Sequence, residues 1–343
     1  MNTKLTKPLP KEDLAHVLQY AGPDMEQLRG ARLFVTGGTG FFGKWLLTTF
    51  QHANQELHLG ATMTVLTRDP ARFRSESPHL ADDSAFTFHA GDIRTFNFPA
   101  GKFSHVIHGA SGPGSGPLEM FATIVDGSRR TLEFAAGSGV KRLLFLSSGA
   151  VYGPQPSVLT HIPESYLGAP DPLQTASAYG ESKRAAEHLC CASSAIHGFE
   201  STIARCFAFA GPHLPLDGHF AIGNFMADAL AGRPISVQGD GTAYRSYLFA
   251  ADLAVWLWAL LVRGENGRAY NVGSNKDLTI AELANLVAEA ARPKSKVLIA
   301  KAPRLGAEPN RYVPSIDRAR KELGLEVRIT LQEGIRQALQ WLR

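Results

Sequence analysis

With 343 residues, 44% hydrophobic and 19% charged, the chain has material for one large lobe or two unequal lobes around a full apolar core. Its 35 basic and 31 acidic residues are interspersed and net to +4. No basic run marks a nucleic-acid surface, and a taste for small anionic molecules is the more modest implication. The longest apolar run, residues 253–262, is about half of what a membrane crossing needs. The opening segment MNTKLTKPLPKEDLAHVL lacks the apolar stretch of a secretory signal, so a cytoplasmic protein without a membrane partner is expected. Cys190, Cys191 and Cys206 are odd in number, lack metal-ligand spacing and read as reduced structural thiols.

Residues 1–30 form a proline-punctuated prefix with one predicted helix over 11–20, an arm that packs on the body or on a second subunit. Short apolar strands are predicted at 32–36, 63–66, 86–89, 105–108, 142–147 and 201–206. Helices are predicted over 44–55, 118–137 and 178–197. Such alternation, with strands apolar throughout, predicts a parallel sheet covered on both faces. After Gly211 the rhythm shortens to a helix over 220–231, a strand at 235–237, a turn at 239–241 and an apolar helix over 250–262. A strand at 269–272, a helix over 279–291 and a terminal helix from Leu331 follow. The expected organisation is an α/β fold: an arm over 1–30, a doubly wound domain over 31–210, and a smaller α/β substrate lobe over 211–343. Some elements of that lobe return to the main sheet.

The segment TGGTGFFG, residues 36–43, follows the first strand and opens a helix, the context a dinucleotide fingerprint requires. Gly37 allows the tight turn, Gly40 lets the backbone approach a pyrophosphate, and Gly43 permits close helix–strand packing. Phe41 and Phe42 begin a helix whose free N–H groups and positive dipole end would face the phosphates. The predicted sheet is therefore of Rossmann type. An NAD site usually carries an acid at the end of the second strand for the ribose hydroxyls. Here Thr67 takes that place and Arg68 suits a 2′-phosphate, a lean to NADP, while the adjacent Asp69 keeps NAD open. Asp92 and Ile93, after the third strand, read as the adenine edge contact and an apolar wall.

Downstream lies YGESK, residues 179–183. Tyr179 and Lys183 are four apart on a predicted helix and share one face. A phenol with a pKa of about 10 is a poor base at neutral pH, and a neighbouring ammonium favours its ionised form. Ser148, ending the fifth strand in LSSGAVYG, offers a hydrogen bond to a substrate oxygen. Together these groups point to hydride transfer between a nicotinamide and a carbinol. The SGPGSGP stretch, residues 111–117, lies on the carboxyl edge of the sheet and reads equally as a flap over substrate or a flexible loop. His105, His108, His213 and His219 lack metal-like spacing and read as structural, as do Trp256 and Trp258. No metal is expected.

These motifs resemble the extended short-chain dehydrogenase/reductase family, in its nucleotide-sugar epimerase and dehydratase branch. The resemblance runs from about Arg32 to the C-terminus through TGGTGFFG, Asp92, LSSGAVYG, YGESK, RCFAFAGP, GDGTAYRSYLFAADL and the late EGI helix. It implies that Ser148, Tyr179 and Lys183 are the catalytic trio, Tyr179 taking the sugar hydroxyl proton and Lys183 also holding the cofactor ribose. It further implies that Arg245 grips the substrate diphosphate and that Arg304, in PRLGAEP, makes a second phosphate contact. Guanidinium forks suit phosphate oxygens. A homodimer through the helices at Leu118 and Ala178 is implied as well.

Departures from the pattern narrow the reaction. The family's 4,6-dehydratases carry acids directly after the catalytic hydroxyl residue, and its decarboxylating members also use an acid there. This chain has Gly149 and Ala150. Ala208 stands where RCFAFAGP often carries an asparagine that contacts the substrate phosphates. The expected protein is an NAD(P)-dependent enzyme acting at C4 of a nucleotide-diphosphate sugar, as a 4-epimerase or a 4-ketoreductase. A 4,6-dehydratase, a dehydrogenase of a non-nucleotide carbinol and a non-catalytic NAD(P)-binding regulator stand as alternatives.

Overall fold

The computed structural model describes residues 6–112, 116–218, 220–304, 306 and 308–343. The first elements are α1 (Lys11–Glu26), β1 (Arg32–Thr36), α2 (Phe41–Glu56), β2 (Thr62–Thr67), α3 (Pro70–Glu76), α4 (Pro78–Ala81), β3 (Phe86–Ala90), β4 (His105–His108), α5 (Pro117–Ser138), β5 (Arg142–Ser148), α6 (Ala178–His197) and β6 (Glu200–Cys206). Then come β7 (Phe209–Ala210), α7 (Ala221–Leu230), β8 (Ile235–Val237), β9 (Tyr244–Ser246), β10 (Leu248–Phe249), α8 (Ala250–Arg263), β11 (Arg268–Val272), β12 (Asp277–Thr279), α9 (Ile280–Ala290), β13 (Val297–Ile299), β14 (Arg311–Tyr312), α10 (Asp317–Leu323) and α11 (Leu331–Leu342). A short 3-10 turn, Gly149–Tyr152, continues β5.

Seven strands form one sheet in the order β11-β6-β5-β4-β1-β2-β3. β1 pairs in parallel with both β2 and β4, β2 with β3, and β4 with β5. This is the Rossmann-type architecture that the alternation predicts. The strand order reverses beside β1, so the carboxyl ends of β1 and β4 flank a topological switch point where such sheets bind ligands. Leu33, Phe34 and Val35 of β1 and Leu143, Leu144 and Phe145 of β5 are fully buried, as strands covered on both faces must be. On one face Phe34 packs 4.4 Å from Phe134 of α5, with Phe96 and Phe103 in the same cluster.

The chain divides into two compact units: Met1–Gly153, Gly168–Arg205 and Ala254–Tyr270 form the first, and Pro154–Leu167, Cys206–Leu253 and Asn271–Arg343 the second. The expected boundary near residue 210 allowed later elements to return to the first unit, as 254–270 do, but did not anticipate the placement of residues 154–167. Residues 154–167 belong with the second unit because Ile162 donates its N–H to Val313 O at 2.8 Å and accepts from Asn271 Nδ2 at 2.9 Å. Residues 254–270 belong with the first, where Trp258 Nε1 donates to Thr49 Oγ1 at 3.0 Å and Arg263 meets Asp24 at 2.6 Å.

In the first unit α1 runs to Glu26, beyond the predicted end at residue 20 and through Pro23. Val17, Ala21 and Met25 recur every four residues and are all buried, so the apolar stripe continues across the proline and outweighs its missing hydrogen bond. The second unit holds three small sheets, β12-β9-β14, β10-β7 and β13-β8. Most of their strands have two or three residues, too few for a period-two signal in the sequence. Among the described residues no helix is long and apolar enough to cross a membrane, and Cys190, Cys191 and Cys206 are not joined in disulfides.

Candidate active site

A cavity of about 790 Å³ opens at the carboxyl edge of the first unit's sheet. Of the residues read as dinucleotide contacts, Gly37, Gly40, Phe41, Phe42, Arg68, Asp92 and Ile93 line it, whereas Gly43, Tyr179 and Lys183 do not. Gly37 has φ +75°, and a Cβ there would lie 2.6 Å from the Gly109 carbonyl carbon. The turn after β1 and the turn after β4 therefore touch backbone to backbone. Gly43 sits within α2, where a Cβ would come 2.2 Å from the Gly38 backbone. α2 starts at Gly40 with neither a side-chain cap nor an acid in its first turn, so the protein leaves its positive dipole end uncompensated. A large cavity, a glycine-walled cradle and a bare helix end fit a dinucleotide pyrophosphate.

After β2, Asp69 is already engaged. It caps α3, its Oδ1 accepting from Arg72 N at 2.9 Å, while Arg72 pairs with Glu76 at 2.8 Å. Arg68 is exposed at the rim. Asp92 Oδ1 accepts from the Arg94 backbone N–H at 3.0 Å and from Arg94 Nε at 3.1 Å. The backbone bond leads in holding this carboxyl below its usual range, with the Arg94 side chain adding to it. Thr39, Arg94, Glu119, Gly109 and Ala110 also line the cavity and went unassigned in the sequence; Ser111 and Gly112, from the stretch read as a flap or loop, line it too. The position of HGASG directly after a buried strand was the available signal for Gly109 and Ala110. Residues 113–115 of the anticipated flap lie outside the described residues, as does His219.

Lys183 is 1% exposed. Its Nζ donates to Leu146 O at 2.7 Å, sits 4.9 Å from the centroid of the Phe145 ring and 5.9 Å from that of Tyr179. Ser148 ends β5, and its Oγ accepts from Ala150 N at 3.2 Å. A Cβ on Gly180 would lie 2.7 Å from Ala150 O, so only glycine lets α6 press on the turn that follows Ser148. β5 and α6 thereby gather Ser148, Tyr179 and Lys183 in one neighbourhood. The trio does not line the large cavity itself. It adjoins that cavity through Gly109, whose Cβ would lie 2.8 Å from the side chain of Leu146, the residue that binds Lys183.

A buried cluster that went unread in the sequence braces this neighbourhood. Glu187, one turn beyond Lys183, accepts from Ser147 Oγ at 2.6 Å and from Arg205 Nε and Nη2 at 3.0 and 2.7 Å. Arg205 Nη1 donates to Tyr152 Oη at 2.9 Å. The four-residue steps Tyr179, Lys183, Glu187 were the legible clue.

In the second unit Arg245 is half-buried and donates to the backbone carbonyls of Tyr244 at 2.7 Å and Asn310 at 3.5 Å. Among the described residues it has no carboxylate partner. Burial lowers its pKa, with Tyr247 and Tyr312 acting the other way. Arg304 is exposed. It adds to the forces holding Asp240 below the usual carboxylate range, behind hydrogen bonds from the Thr242 backbone and hydroxyl. The histidines play local parts: His105 is pushed down to about 4, by burial and then by Arg142 and Lys141. The His213 ring packs 4.7 Å from Trp341.

A model of the NAD dependent epimerase/dehydratase family matches residues 33–273. The chain belongs to this family. A UDP-glucuronic acid decarboxylase of Arabidopsis thaliana, number 5, is 34% identical over 64% of this chain and 62% of its own length. Number 6 of the same plant is 29% identical over 97% of this chain and 93% of its own. Among solved structures, the UDP-glucose 4-epimerase of Thermus thermophilus in complex with NAD superposes with a TM-score of 0.72 at 26% identity, covering 91% of this chain and 99% of that one. This epimerase/dehydratase family member is an enzyme similar to proteins of more than one reaction class.

Proposed function

We propose that this enzyme interconverts carbinol and ketone at C4 of a nucleotide-diphosphate sugar, as a 4-epimerase or a 4-ketoreductase. Gly149 and Ala150, directly after Ser148, carry this reading. Neither side chain can take a proton from C5 or assist loss of a carboxylate, so the chain keeps the groups for hydride chemistry without the acid for elimination. Tyr179 would accept the C4 hydroxyl proton, Lys183 would favour its ionised form and hold the cofactor ribose, and Ser148 would donate to the sugar oxygen. Ser148 Oγ already accepts from Ala150 N, which leaves its proton to give. Gly37, Gly40 and the start of α2 would hold a nicotinamide dinucleotide, which would supply reversible hydride transfer at C4. Arg245 would bind the diphosphate, and the lack of a carboxylate on its guanidinium supports that role. Arg304 would assist. The similarity to decarboxylases of UDP-glucuronic acid favours decarboxylation as the second reading. Incubation with UDP-glucose, UDP-N-acetylglucosamine and UDP-glucuronate, and with 4-keto sugar nucleotides plus reduced cofactor, separates the two. An isomer of unchanged mass or a reduced product is expected; loss of carbon dioxide from UDP-glucuronate would replace this proposal with the second.

We also propose that the cofactor is NADP. Asp69 serves as a helix cap rather than as a ribose acceptor, Thr67 lacks a charge, and Arg68 and Arg72 line the same rim. Wild type is expected to bind NADP⁺ at least about tenfold more tightly than NAD⁺, and Arg68→Asp to lose about that factor for NADP⁺ alone. Titration calorimetry with each dinucleotide reads both numbers, and equal affinities in wild type would restore NAD. The family resemblance, rather than the cofactor, is the ground for proposing a homodimer through α5 and α6, whose exposed apolar residues include Leu118, Phe121 and Ile196.

A further inference from the structure

His108, the last residue of β4, is 1% exposed and joined on both ring nitrogens. Ser128 Oγ donates its one proton to Ile124 O at 2.7 Å. Lying 2.9 Å from His108 Nε2, it must therefore accept there, and the proton of the neutral imidazole sits on Nε2. Nδ1 is then an acceptor, met at 2.7 Å by the Thr36 hydroxyl. The oxygen of that hydroxyl accepts the N–H groups of Gly109 and Ala110, each at 3.2 Å. The chain runs in one direction, from two loop amides through Thr36, His108 and Ser128 to a carbonyl of α5.

The reverse arrangement is worse on proton count: the Gly109 N–H is shared with Thr36 O at 3.1 Å, yet a proton on Nδ1 would still crowd Thr36 Oγ1 with a further donor and would require the Ser128 hydroxyl to give up Ile124 O. Burial, with the charge of Lys183 behind it, pushes His108 down to about 3, which agrees with the neutral ring. The two amides held this way belong to the loop that closes on Gly37 and lines the cavity. The His108 ring also stacks on Phe145, 5.4 Å between centroids, and that same ring lies under the Lys183 ammonium.

We propose that His108 is a positioning residue of the dinucleotide site, its neutral Nε2–H tautomer aiming the Thr36 hydroxyl so that the Gly109–Ala110 turn is fixed against the glycine turn. The assignment rests on the large cavity being the place where the dinucleotide binds. Its ligand is a nicotinamide dinucleotide of either kind, NAD⁺ or NADP⁺.

Titration calorimetry of NAD⁺ and NADP⁺ into wild type, His108→Phe and His108→Asn tests it. Phenylalanine keeps the packing on Phe145 and removes both polar contacts; affinity is expected to fall about tenfold. Asparagine places an amide oxygen near the former Nδ1 and is expected to bring binding back to within about threefold of wild type. A merely structural histidine would show the two variants tracking their apoprotein melting temperatures instead. Should His108→Phe fail to fold, the ¹⁵N shifts of the wild-type imidazole at neutral pH decide: a neutral Nε2–H ring is expected, and an Nδ1–H ring or an imidazolium would overturn the proposal. Wild type that binds neither dinucleotide would overturn the cavity's assignment and this role with it. Tight wild-type binding matched by His108→Phe would overturn the role of His108 alone.

Discussion

Replacing Tyr179 by phenylalanine is expected to reduce turnover about a thousandfold while leaving dinucleotide affinity nearly unchanged. The size follows from removing a positioned proton acceptor, worth about a hundred to ten thousandfold. The ring itself stays: Tyr179 is only partly buried, and a phenylalanine ring fills the same space beside Lys183 without disturbing the bond of that lysine to Leu146 O. Binding and chemistry therefore separate, which a general loss of structure would not allow. Steady-state rates with whichever nucleotide sugar wild type converts, set beside cofactor titrations, give both halves. Near-normal turnover in Tyr179→Phe would remove the phenol from the mechanism and leave Ser148 or a water as proton acceptor.

The second large effect is on stability. Glu187→Ala should destabilise the protein by about 3–5 kcal/mol, the usual consequence of stranding one half of a buried ion pair. Glu187 takes two donors from Arg205 and one from Ser147, with side-chain exposures of only 10% and 18% for the acid and the arginine. Removing the carboxylate leaves the Arg205 guanidinium without its counter-charge and the Ser147 hydroxyl without its present acceptor. Glu187→Leu combined with Arg205→Met removes both charges, and it should recover the loss to within about 1–2 kcal/mol. Urea unfolding of the single and double variants reads this directly. If Glu187→Ala kept the wild-type midpoint, the pair would be of surface type and its bracing of β5 against α6 would lapse. The double variant carries further information, because Ser147 and Glu187 flank two members of the trio. Full stability with depressed turnover would assign the cluster to alignment rather than to folding.

Much of the architecture was legible because its signals are local. Buried parallel strands are apolar from end to end, the glycine turn spans eight residues, and the Tyr179 and Lys183 pair lies within one helical turn and a fraction. What escaped the sequence was non-local or too short. Ser147 and Glu187 meet across forty residues of chain. The Gly109–Ala110 loop gains its meaning only from contact with Gly37. Strands of two residues, such as β7, β10 and β14, carry no period at all. The end of α1 was misplaced because Pro23 is a breaker in isolation, whereas Val17, Ala21 and Met25 continue their buried row past it. The boundary at residue 210 followed turn density; contacts send 154–167 to the later unit against it, and return 254–270 to the earlier one as later elements were expected to do.

That last excursion bears on how the chain is made. Trp258 fills a place against Thr49 and lies 6.3 Å from the Phe50 ring, and β11 supplies the outermost strand beside β6. A ribosome adding about 5–20 residues per second has therefore to translate well into the later half before the earlier fold can close. Until then β6 offers a bare edge and α2 an empty indole-sized slot. Nascent chains stalled in that interval are natural clients for chaperones, and a transcript cut short there encodes a sticky fragment rather than a smaller enzyme.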